Sequence, residues 1–280
     1  MKIVISKTAI ALGLLLVVYT GLSHASVPGC GRGIENLERI DFARTRIVVL
    51  GEVHGTMQAQ DFMQALACHA LASRRRVVLG IEAPVAIQAP LSSYVRGAIP
   101  QRQFAADSNV FWRGEDGRSS AAMMGLIGHI RRMKAAGANI ELFAFDGVAA
   151  KRRARQQQEA SRDQQMALNV RAKLRQRPGA LLLLLVGNIH AAKHKLDPEY
   201  APPMVSYLLD LPILTLGMRY RSGNFWVCYD GCAVHSTQGM PDASRQFGIG
   251  DIDKSGEYDR FFDVGHVNAS PPYLDSPASR

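Results

Sequence analysis

The sequence predicts an α/β fold with a mainly parallel central sheet flanked by helices, and three observations support this. Four short apolar runs, rich in leucine and β-branched residues, have the composition of buried strands. Segments with helical periodicity separate these runs, as in parallel sheets with helices on their faces. Each run also ends in a polar residue. The runs are IVVLGEVH ending at His54, VVLGIE ending at Glu82, IELFAFD ending at Asp146 and LLLLLVGNIH ending at His190.

The first half of the chain alternates strands with helices. Phe62 and Leu66 fall on one face of the first helix, and Gly137 suits the end of the fourth helical segment. The turn-rich string SNVFWRGEDGR predicts a loop over the edge of the sheet. The predicted elements are a strand at 46–51, a helix near 57–73, a strand at 76–82, helical segments near 86–97 and 101–106, a loop at 108–118, a helix at 119–136 and a strand at 139–145.

The second half continues the alternation and then changes character. Pro178-Gly179 ends a long polar helix, and the most apolar run after the predicted signal peptide follows at 180–186, which predicts a strand at the centre of the sheet. A hairpin near 224–236 is predicted to add a late antiparallel edge to this sheet. The predicted elements are a helix at 149–176, a strand at 180–186, a short helix near 202–209, a strand at 212–217, the hairpin and a last strand at 260–264.

The N-terminal segment, residues 1–25, has the pattern of a secretory signal peptide. Lys2 and Lys7 precede an apolar stretch, and small residues up to Ala25 follow it at the positions that a signal peptidase reads. A retained anchor, or lipidation at Cys30, is the alternative. Residues 26–280 then form a single α/β domain, secreted and periplasmic, with no stable membrane span after signal removal.

The charge of the chain does not indicate a nucleic-acid partner. The formal net charge is +9, and loss of the two signal-peptide lysines leaves +7. Basic residues could contact phosphate or an anionic surface, but no nucleic-acid module or interleaved aromatic residues accompany them. We therefore interpret them as solvated helix faces. The basic clusters are Arg74–Arg76, Lys151–Arg155 and Arg171–Arg177.

Four cysteines follow the signal segment, and an even number in an oxidising compartment predicts two disulfides. Cys228 and Cys232 flank a turn sequence, so a disulfide across the neck of the hairpin is expected. Cys30 and Cys68 would then link the mature N-terminus to the first helix. The spacing of the cysteines matches neither a redox CxxC motif nor a zinc-finger pattern.

Polar residues at the ends of the predicted strands form the candidate site. Ligands of open α/β sheets bind outside the carboxyl ends of the strands, so these residues should meet at one edge although they are distant in sequence. Two of the strand ends carry similar strings, GEVHG and GNIHA, in each of which a histidine stands three positions after a glycine. The residues expected at this edge are Glu52, His54, Glu82, Asp146, Asn188 and His190.

The chain resembles the superfamily that unites erythromycin esterases, ChaN-like haem-binding proteins and TIKI/TraB metalloprotease-like proteins. The resemblance depends on GEVHG, on Ile81-Glu82 and on GNIHA, and it covers roughly residues 45–272. Supporting strings are DGRSS at 116–120, Arg162-Asp163 with Met166 and Asn169, and DVGHVNASPP near the end. The esterase and ChaN-like branches are the most similar.

The resemblance implies a hydrolase site, or a binding site, at the edge of the sheet. By the esterase mechanism, His54 would activate a water molecule, with Glu52 or Glu82 orienting it, and His190 would bind substrate or stabilise an oxyanion. Arg118 and Arg162 would bind an anionic or carboxylate group of a small-molecule substrate, with Asp146 anchoring an arginine or a histidine and Asn188 beside them. An ester is the expected substrate class.

Two other branches imply different chemistry for the same residues. In the metalloprotease-like reading, Glu52, His54, Glu82 and His190 would hold a divalent metal ion that activates water. In the ChaN-like reading, the chain would be an envelope protein that binds haem or a metal ion without catalysis. A serine-hydrolase elbow (GxSxG), a dinucleotide-binding GxGxxG after the first strand and a P-loop are absent from the sequence. A pair of carboxylates acting on sugars is a weaker alternative because histidines accompany them.

Overall fold

The computed structural model describes residues 33–73, 75–147, 161–229 and 231–276. The predicted signal peptide (1–25), Cys30 and the basic cluster Lys151–Arg155 lie outside these ranges. The strands are β1 (Ile47–Glu52), β2 (Val77–Pro84), β3 (Ile140–Asp146), β4 (Leu181–Gly187), β5 (Ile213–Arg219), β6 (Ser222–Cys228), β7 (Cys232–Gln238), β8 (Gly248–Ile252), β9 (Arg260–Asp263) and β10 (His266–Val267).

The helices occupy the connections between the strands. Several short 3-10 helices add to them, including Val85–Ile87 before α2 and Met204–Tyr207 where a short helix near 202–209 was predicted. The α-helices are α1 (Gln58–Ala72), α2 (Gln88–Val95), α3 (Gln101–Asp107), α4 (Asn109–Trp112), α5 (Ala121–Ala135), α6 (Arg162–Gln176) and α7 (Asn188–Ala191).

Seven strands form one sheet in the order β3-β2-β4-β1-β5-β9-β8. All pairs from β3 to β9 are parallel, and the predicted α/β class with a mainly parallel sheet is confirmed. The apolar run of β4 lies inside the sheet, between β2 and β1. Leu50 of β1 pairs with Leu185 of β4 on one side and with Leu216 of β5 on the other.

The two faces of the sheet are covered by different helices, because successive side chains of a strand point to opposite faces. Val48 and Leu50 of β1 pack with α1 and α5, whereas Ile47 and Val49 pack with α6. Both faces of β1 are therefore buried, and each fully buried aliphatic side chain contributes about 1.5–3 kcal/mol to stability. This explains why its sequence is a continuous apolar run rather than an alternating one.

The hairpin does not extend the central sheet, which corrects its predicted position at the edge. Strands β6 and β7 pair with each other and belong to a separate three-stranded sheet completed by β10. Most side chains of β7 are exposed, so it lacks the apolar face that an edge of the central sheet requires. The antiparallel edge is β8 instead, where the buried Ile249 pairs with Phe262 of β9.

The segment 108–118 is only partly the loop that its turn formers predict. Asn109–Trp112 forms the short helix α4, and both Phe111 and Trp112 are buried. Trp112 donates from Nε1 to Ser108 Oγ (2.9 Å) and packs edge-on against Tyr273. Burial of these two aromatic side chains outweighs the local preference for turns. Only the end of the segment lies at the edge of the sheet, where it carries Asp116 and Arg118.

The cysteines follow the prediction as far as the structure describes them. Cys228 and Cys232 form a disulfide across the neck of the hairpin. Cys68 is also disulfide-bonded, while Cys30, the predicted partner, lies outside the described residues. Among the helices in the described ranges, none has the length and apolar composition needed to cross a membrane.

Candidate active site

The site lies at the carboxyl edge of the central sheet, where four neighbouring strands end. Glu52 is the last residue of β1, Asp146 is the last of β3, and Glu82 lies two residues before the end of β2. Helix α7 follows β4 directly and places His190 above the same edge. Since β3, β2, β4 and β1 are adjacent in the sheet, residues up to 138 positions apart in the chain share this edge, as Glu52 and His190 do.

His54 is oriented by a buried carboxylate. Its Nδ1 lies 3.1 Å from Oε1 of Glu52, which is only 1% exposed, and Gln60 of α1 donates to the other oxygen of Glu52 (2.7 Å). An ionised carboxylate can only accept, so Nδ1 carries a hydrogen and the lone pair of neutral His54 is on Nε2. This arrangement directs the basic nitrogen of His54 away from Glu52.

The second nitrogen of His54 faces the pocket. Its Nε2 lies 3.6 Å from Oε2 of Glu82, beyond hydrogen-bonding distance. Gly187 leaves space for the ring, because a Cβ at this position would be 2.7 Å from Nε2. Burial lowers the pKa of His54, but the hydrogen bond that it donates to Glu52 and the charges of Glu52 and Glu82 outweigh burial, so the pKa is raised above 6.5.

Two arginines enclose the buried carboxylate of Glu82. Oε1 of Glu82 accepts from Arg118 Nη1 (3.2 Å) and Arg162 Nη2 (2.5 Å), and Oε2 accepts the N–H of Gly187 (2.7 Å). Burial raises the pKa of Glu82. The charge of His54, the N–H of Gly187 and the charge of Arg118 lower the pKa by more than burial raises it, so the net shift is downward. Glu82 is therefore held as an anion at the centre of the site.

Asp146 completes the same network from the next strand. It accepts from Arg162 Nε (3.0 Å) and Nη2 (2.9 Å), and from Arg118 Nη1 (3.2 Å). Arg118 also donates from Nε and Nη2 to Asp116, at 2.8 and 2.5 Å. Arg118 is partly buried, with 27% of its side chain exposed, and pairing of this kind offsets the loss of water around its charge. Among the contacts of the described residues, each guanidinium keeps one N–H without a protein acceptor, on Nη2 of Arg118 and Nη1 of Arg162.

His190 is held between two residues that are adjacent in sequence. Its Nδ1 lies 2.6 Å from Oδ1 of Asp163, and its Nε2 lies 2.9 Å from Nη1 of Arg162. Both residues belong to the first turn of α6. His190 therefore contacts Arg162 at the nitrogen that points toward the pocket.

A pocket of about 250 Å³ opens between these side chains. It contains all the predicted site residues except Glu52 and Asp146, which lie behind His54 and the arginines. Asn188 contributes to the wall, and its Oδ1 accepts the N–H of Ile189. Ile189, 41% exposed, adds an apolar surface to the mouth. The lining residues are His54, Glu82, Asp116, Arg118, Arg162, Gly187, Asn188, Ile189 and His190.

The predicted metal ligands do not fit a divalent ion in this arrangement. Oε1 of Glu82 is shared by two guanidiniums, whose positive charge would repel a cation, and Nε2 of His190 accepts from Arg162. Across the described part of the chain, no three of the four predicted ligands have donor atoms within 4.8 Å of one another. One cluster in the described residues meets that distance, Glu115 with Cys228 and Cys232, but the disulfide removes its thiolates.

The pocket walls are also unlike a haem site. Most of the lining residues carry charged or polar side chains, which an apolar macrocycle would desolvate without compensation.

The structure brings all eight predicted site residues to one edge of the sheet. Sequence reasoning did not assign a role to Gln60, Asp116 or Asp163. Gln60 lies on the first turn of α1, eight positions after Glu52, and donates to Glu52. The signal in the sequence was an amide side chain at the start of the helix that follows the strand of Glu52. Asp116 and Asp163 belong to strings that support the resemblance, and each pairs with a site side chain.

The fold is similar to those of solved structures, whereas no protein-family model and no curated protein matches the chain. A succinoglycan biosynthesis protein matches with a TM-score of 0.60 and 12% identity, over 86% of this chain and 93% of that protein. An erythromycin esterase variant in its open conformation matches with a TM-score of 0.57 and 13% identity, over 84% and 93%. ChaN of Campylobacter jejuni, solved with cofacial haem, matches with a TM-score of 0.44 and 10% identity, over 79% and 88%.

These identities are low, so the likeness shows the fold alone, and the TM-score for ChaN supports no further conclusion. The fold expected from the resemblance is confirmed, because the chain shares the architecture of an erythromycin esterase.

Proposed function

We propose that the chain is a hydrolase in which His54 activates a water molecule to attack an ester. The observation that carries this proposal is the orientation of His54. A buried glutamate holds Nδ1, and Nε2 faces a pocket that also contains two guanidiniums. A general base needs this geometry, with one nitrogen held and the other open to the reacting water.

The chemistry follows from the positions of the charges. Nε2 of His54 takes a proton from water as the oxygen attacks the ester carbonyl carbon, and Glu52 stabilises the resulting imidazolium. The carbonyl oxygen becomes an oxyanion. When the tetrahedral intermediate collapses, the bond to the leaving alcohol breaks, and His54 returns its proton to that alcohol. Water is consumed, and an acid and an alcohol are released.

Arg118 and Arg162 are the donors available to the oxyanion. Each has one N–H with no acceptor among the described residues, and both line the pocket. Their remaining contacts with Glu82 and Asp146 hold them in place before substrate binds, so little reorganisation accompanies charge development. The metal-activated form of the mechanism has less support, because Oε1 of Glu82, one of the predicted metal-binding atoms, already accepts from two guanidiniums.

Secretion to the periplasm is part of this proposal. The signal-peptide pattern at residues 1–25 and the exposed Cys228–Cys232 disulfide are compatible with an oxidising compartment. N-terminal sequencing of protein recovered from the periplasm of an expressing bacterium tests it. A mature protein that begins near residue 26 supports secretion with cleavage, and a full-length chain retained in the membrane or cytoplasm contradicts it.

The central experiment compares wild type with His54→Gln on a panel of chromogenic esters. Loss of a general base lowers kcat by about 10²–10⁴-fold, whereas His69→Gln, a matched histidine on α1 outside the pocket, should retain activity. Equal activity of the His54→Gln variant and wild type would contradict the proposal.

The haem- or metal-binding alternative, an envelope protein without catalysis, is tested on the same two proteins. Metal analysis and titration with hemin, followed at the Soret band, would show stoichiometric binding that is lost in His54→Gln. Such binding, together with no hydrolysis of any ester in the panel, would replace the hydrolase proposal by a binding function.

A further inference from the structure

We infer that Asp163 is a positioning residue that fixes the tautomer of His190 and, through it, holds Arg162 at the pocket. The catalytic consequence depends on the proposed hydrolase function, but the tautomer itself does not. The three residues form a closed arrangement, in which His190 lies between Asp163 and Arg162, and these two are neighbours in the chain.

The contact with Arg162 shows where His190 carries its hydrogen in this structure. A guanidinium has only donors, so Nη1 of Arg162, 2.9 Å from Nε2 of His190, requires a lone pair on that nitrogen. His190 is then neutral, with its hydrogen on Nδ1. A hydrogen on Nε2 would point at an N–H of Arg162, and two donors would oppose each other.

The contact with Asp163 supplies the matching acceptor. Oδ1 of Asp163 lies 2.6 Å from Nδ1 of His190 and also accepts the backbone N–H of Met204 at 2.7 Å. The side chain is 12% exposed, so water does not readily replace it. In metal and catalytic sites alike, the tautomer of a histidine is set by the hydrogen bond made by its other nitrogen. Asp163 therefore keeps Nε2 free to accept from Arg162.

The arrangement constrains Arg162, which needs such support. Its side chain is 43% exposed, and its carboxylate partners Asp146 and Glu82 bind Nε and Nη2 only. His190 is the partner of Nη1, the nitrogen that also carries the spare N–H. Holding one hydrogen of Nη1 on His190 fixes the direction of the other, which is the donor assigned to the oxyanion.

Two substitutions of Asp163 separate its acceptor from its charge. Asp163→Ala removes the acceptor and leaves Arg162 as the group that favours a hydrogen on Nδ1; because Arg162 is 43% exposed and can turn toward solvent, both tautomers of His190 become accessible. Asp163→Asn should keep an oxygen at the position of Oδ1, because the N–H of Met204 needs an acceptor there and the flipped amide would oppose it. Nδ1 of His190 donates its hydrogen to this same oxygen, so the tautomer of His190 is retained in Asp163→Asn.

The test measures the tautomer directly by ¹⁵N NMR of histidine-labelled protein, with His190→Gln used to assign the signals. We expect wild type and Asp163→Asn to show His190 protonated on Nδ1 alone, and Asp163→Ala to show a mixture. On an ester substrate, Asp163→Ala should lower kcat by about 10–100-fold and Asp163→Asn by less.

A matched control separates tautomer from helix stability. Ser161 caps the same helix, with its Oγ accepting the N–H of Gln164 at 3.2 Å. Ser161→Ala should lower the thermal stability but leave the NMR signature of His190 unchanged. If Asp163→Ala keeps the wild-type tautomer, or if His190 of wild type carries a hydrogen on Nε2, the inference is wrong. If the tautomer responds as expected and wild type cleaves no ester, the positioning role stands and the hydrolase function is wrong.

Discussion

At His54, burial and charge act in opposite directions on the same imidazole. Burial disfavours the charged ring, whereas Glu52 at 3.1 Å and Glu82 at 3.6 Å favour it, and the two carboxylates outweigh burial and the charge of Arg118. A raised pKa makes His54 a stronger base and keeps it protonated to a higher pH. Catalysis by neutral His54 should therefore appear as an acid limb in the pH profile, with its midpoint above 6.5.

Glu52→Gln should shift that acid limb to lower pH. The amide removes the nearest negative charge, and the effect of burial, which lowers the pKa of His54, then dominates. Activity on the alkaline plateau should fall by about tenfold or more, because the imidazolium formed during the reaction loses its partner. The measurement is kcat/KM on an ester from pH 5 to 9. Glu141→Gln, at the opposite end of β3, is the matched control and should leave the limb unchanged. If the acid limb of Glu52→Gln stays at the same pH or moves to higher pH, Glu52 does not raise the pKa of His54.

Among the elements, the small sheet that contains the hairpin contacts the two loops that carry site residues. The carbonyl of Gly55, next to His54, accepts the N–H groups of Trp226 on β6 (3.0 Å) and Ser270 near the C-terminal end (2.7 Å). Trp226 also donates from Nε1 to the carbonyl of Glu115, in the segment that carries Arg118. The loop of His54, the proposed general base, and the segment of Arg118, a proposed oxyanion donor, are thus joined through one strand of the hairpin.

Two glycine substitutions test this element. Gly55 has φ +75°, and a Cβ there would lie 2.0 Å from the carbonyl oxygen of Trp226, so Gly55→Ala should destabilise the fold by about 3 kcal/mol or more. Gly125 lies in α5 with open space around it, and Gly125→Ala should stabilise the fold by about 0.5–1 kcal/mol. Urea unfolding of both variants gives the comparison. Similar effects from both substitutions would mean that the contact of Gly55 with the hairpin is unimportant.

One edge of the central sheet is covered by a side chain. The outer edge of β3 has no neighbouring strand in the described sheet, and Gln88 of α2 covers part of it. Its amide accepts the N–H of Ala144 (2.8 Å) and donates to the carbonyl of Leu142 (3.4 Å), as a neighbouring strand would. Covering these groups protects the edge against pairing with another chain.

For the whole molecule, the ion pairs predict how stability depends on pH. Glu82, Asp116 and Glu141 all have lowered pKa values, because hydrogen bonds and positive charges outweigh the effect of burial. A carboxyl with a lowered pKa adds stability above its unfolded value, which is 3.8 for Asp and 4.5 for Glu, and loses it as the pH falls through the folded value. His54, with a raised pKa, adds stability below pH 6.5 and loses it as the pH rises through its folded value.

The melting temperature should therefore fall steeply when the pH is lowered below about 4.5 and decline more gently above about 6.5. Differential scanning calorimetry from pH 3 to 9 measures this profile. In Glu141→Gln the drop on the acid side should be smaller, since one of the carboxyls that must be protonated is missing. His54→Gln should remove part of the decline at neutral pH. A melting temperature that rises as the pH falls from 4.5 to 3 would contradict this account.

The sequence by itself determined the strands, the helices and the edge at which the site lies. Apolar runs such as that of β4 are legible because both faces of an interior strand are buried, and a polar residue after such a run marks the strand end where ligands bind. Only the tertiary structure decided the pairings within the site, such as Arg162 with Glu82, which are 80 positions apart. It also placed the hairpin in its own sheet. Composition and spacing indicate which segments can be buried. Which charged side chains form ion pairs depends on the distances between them, and these distances exist only after the chain has folded.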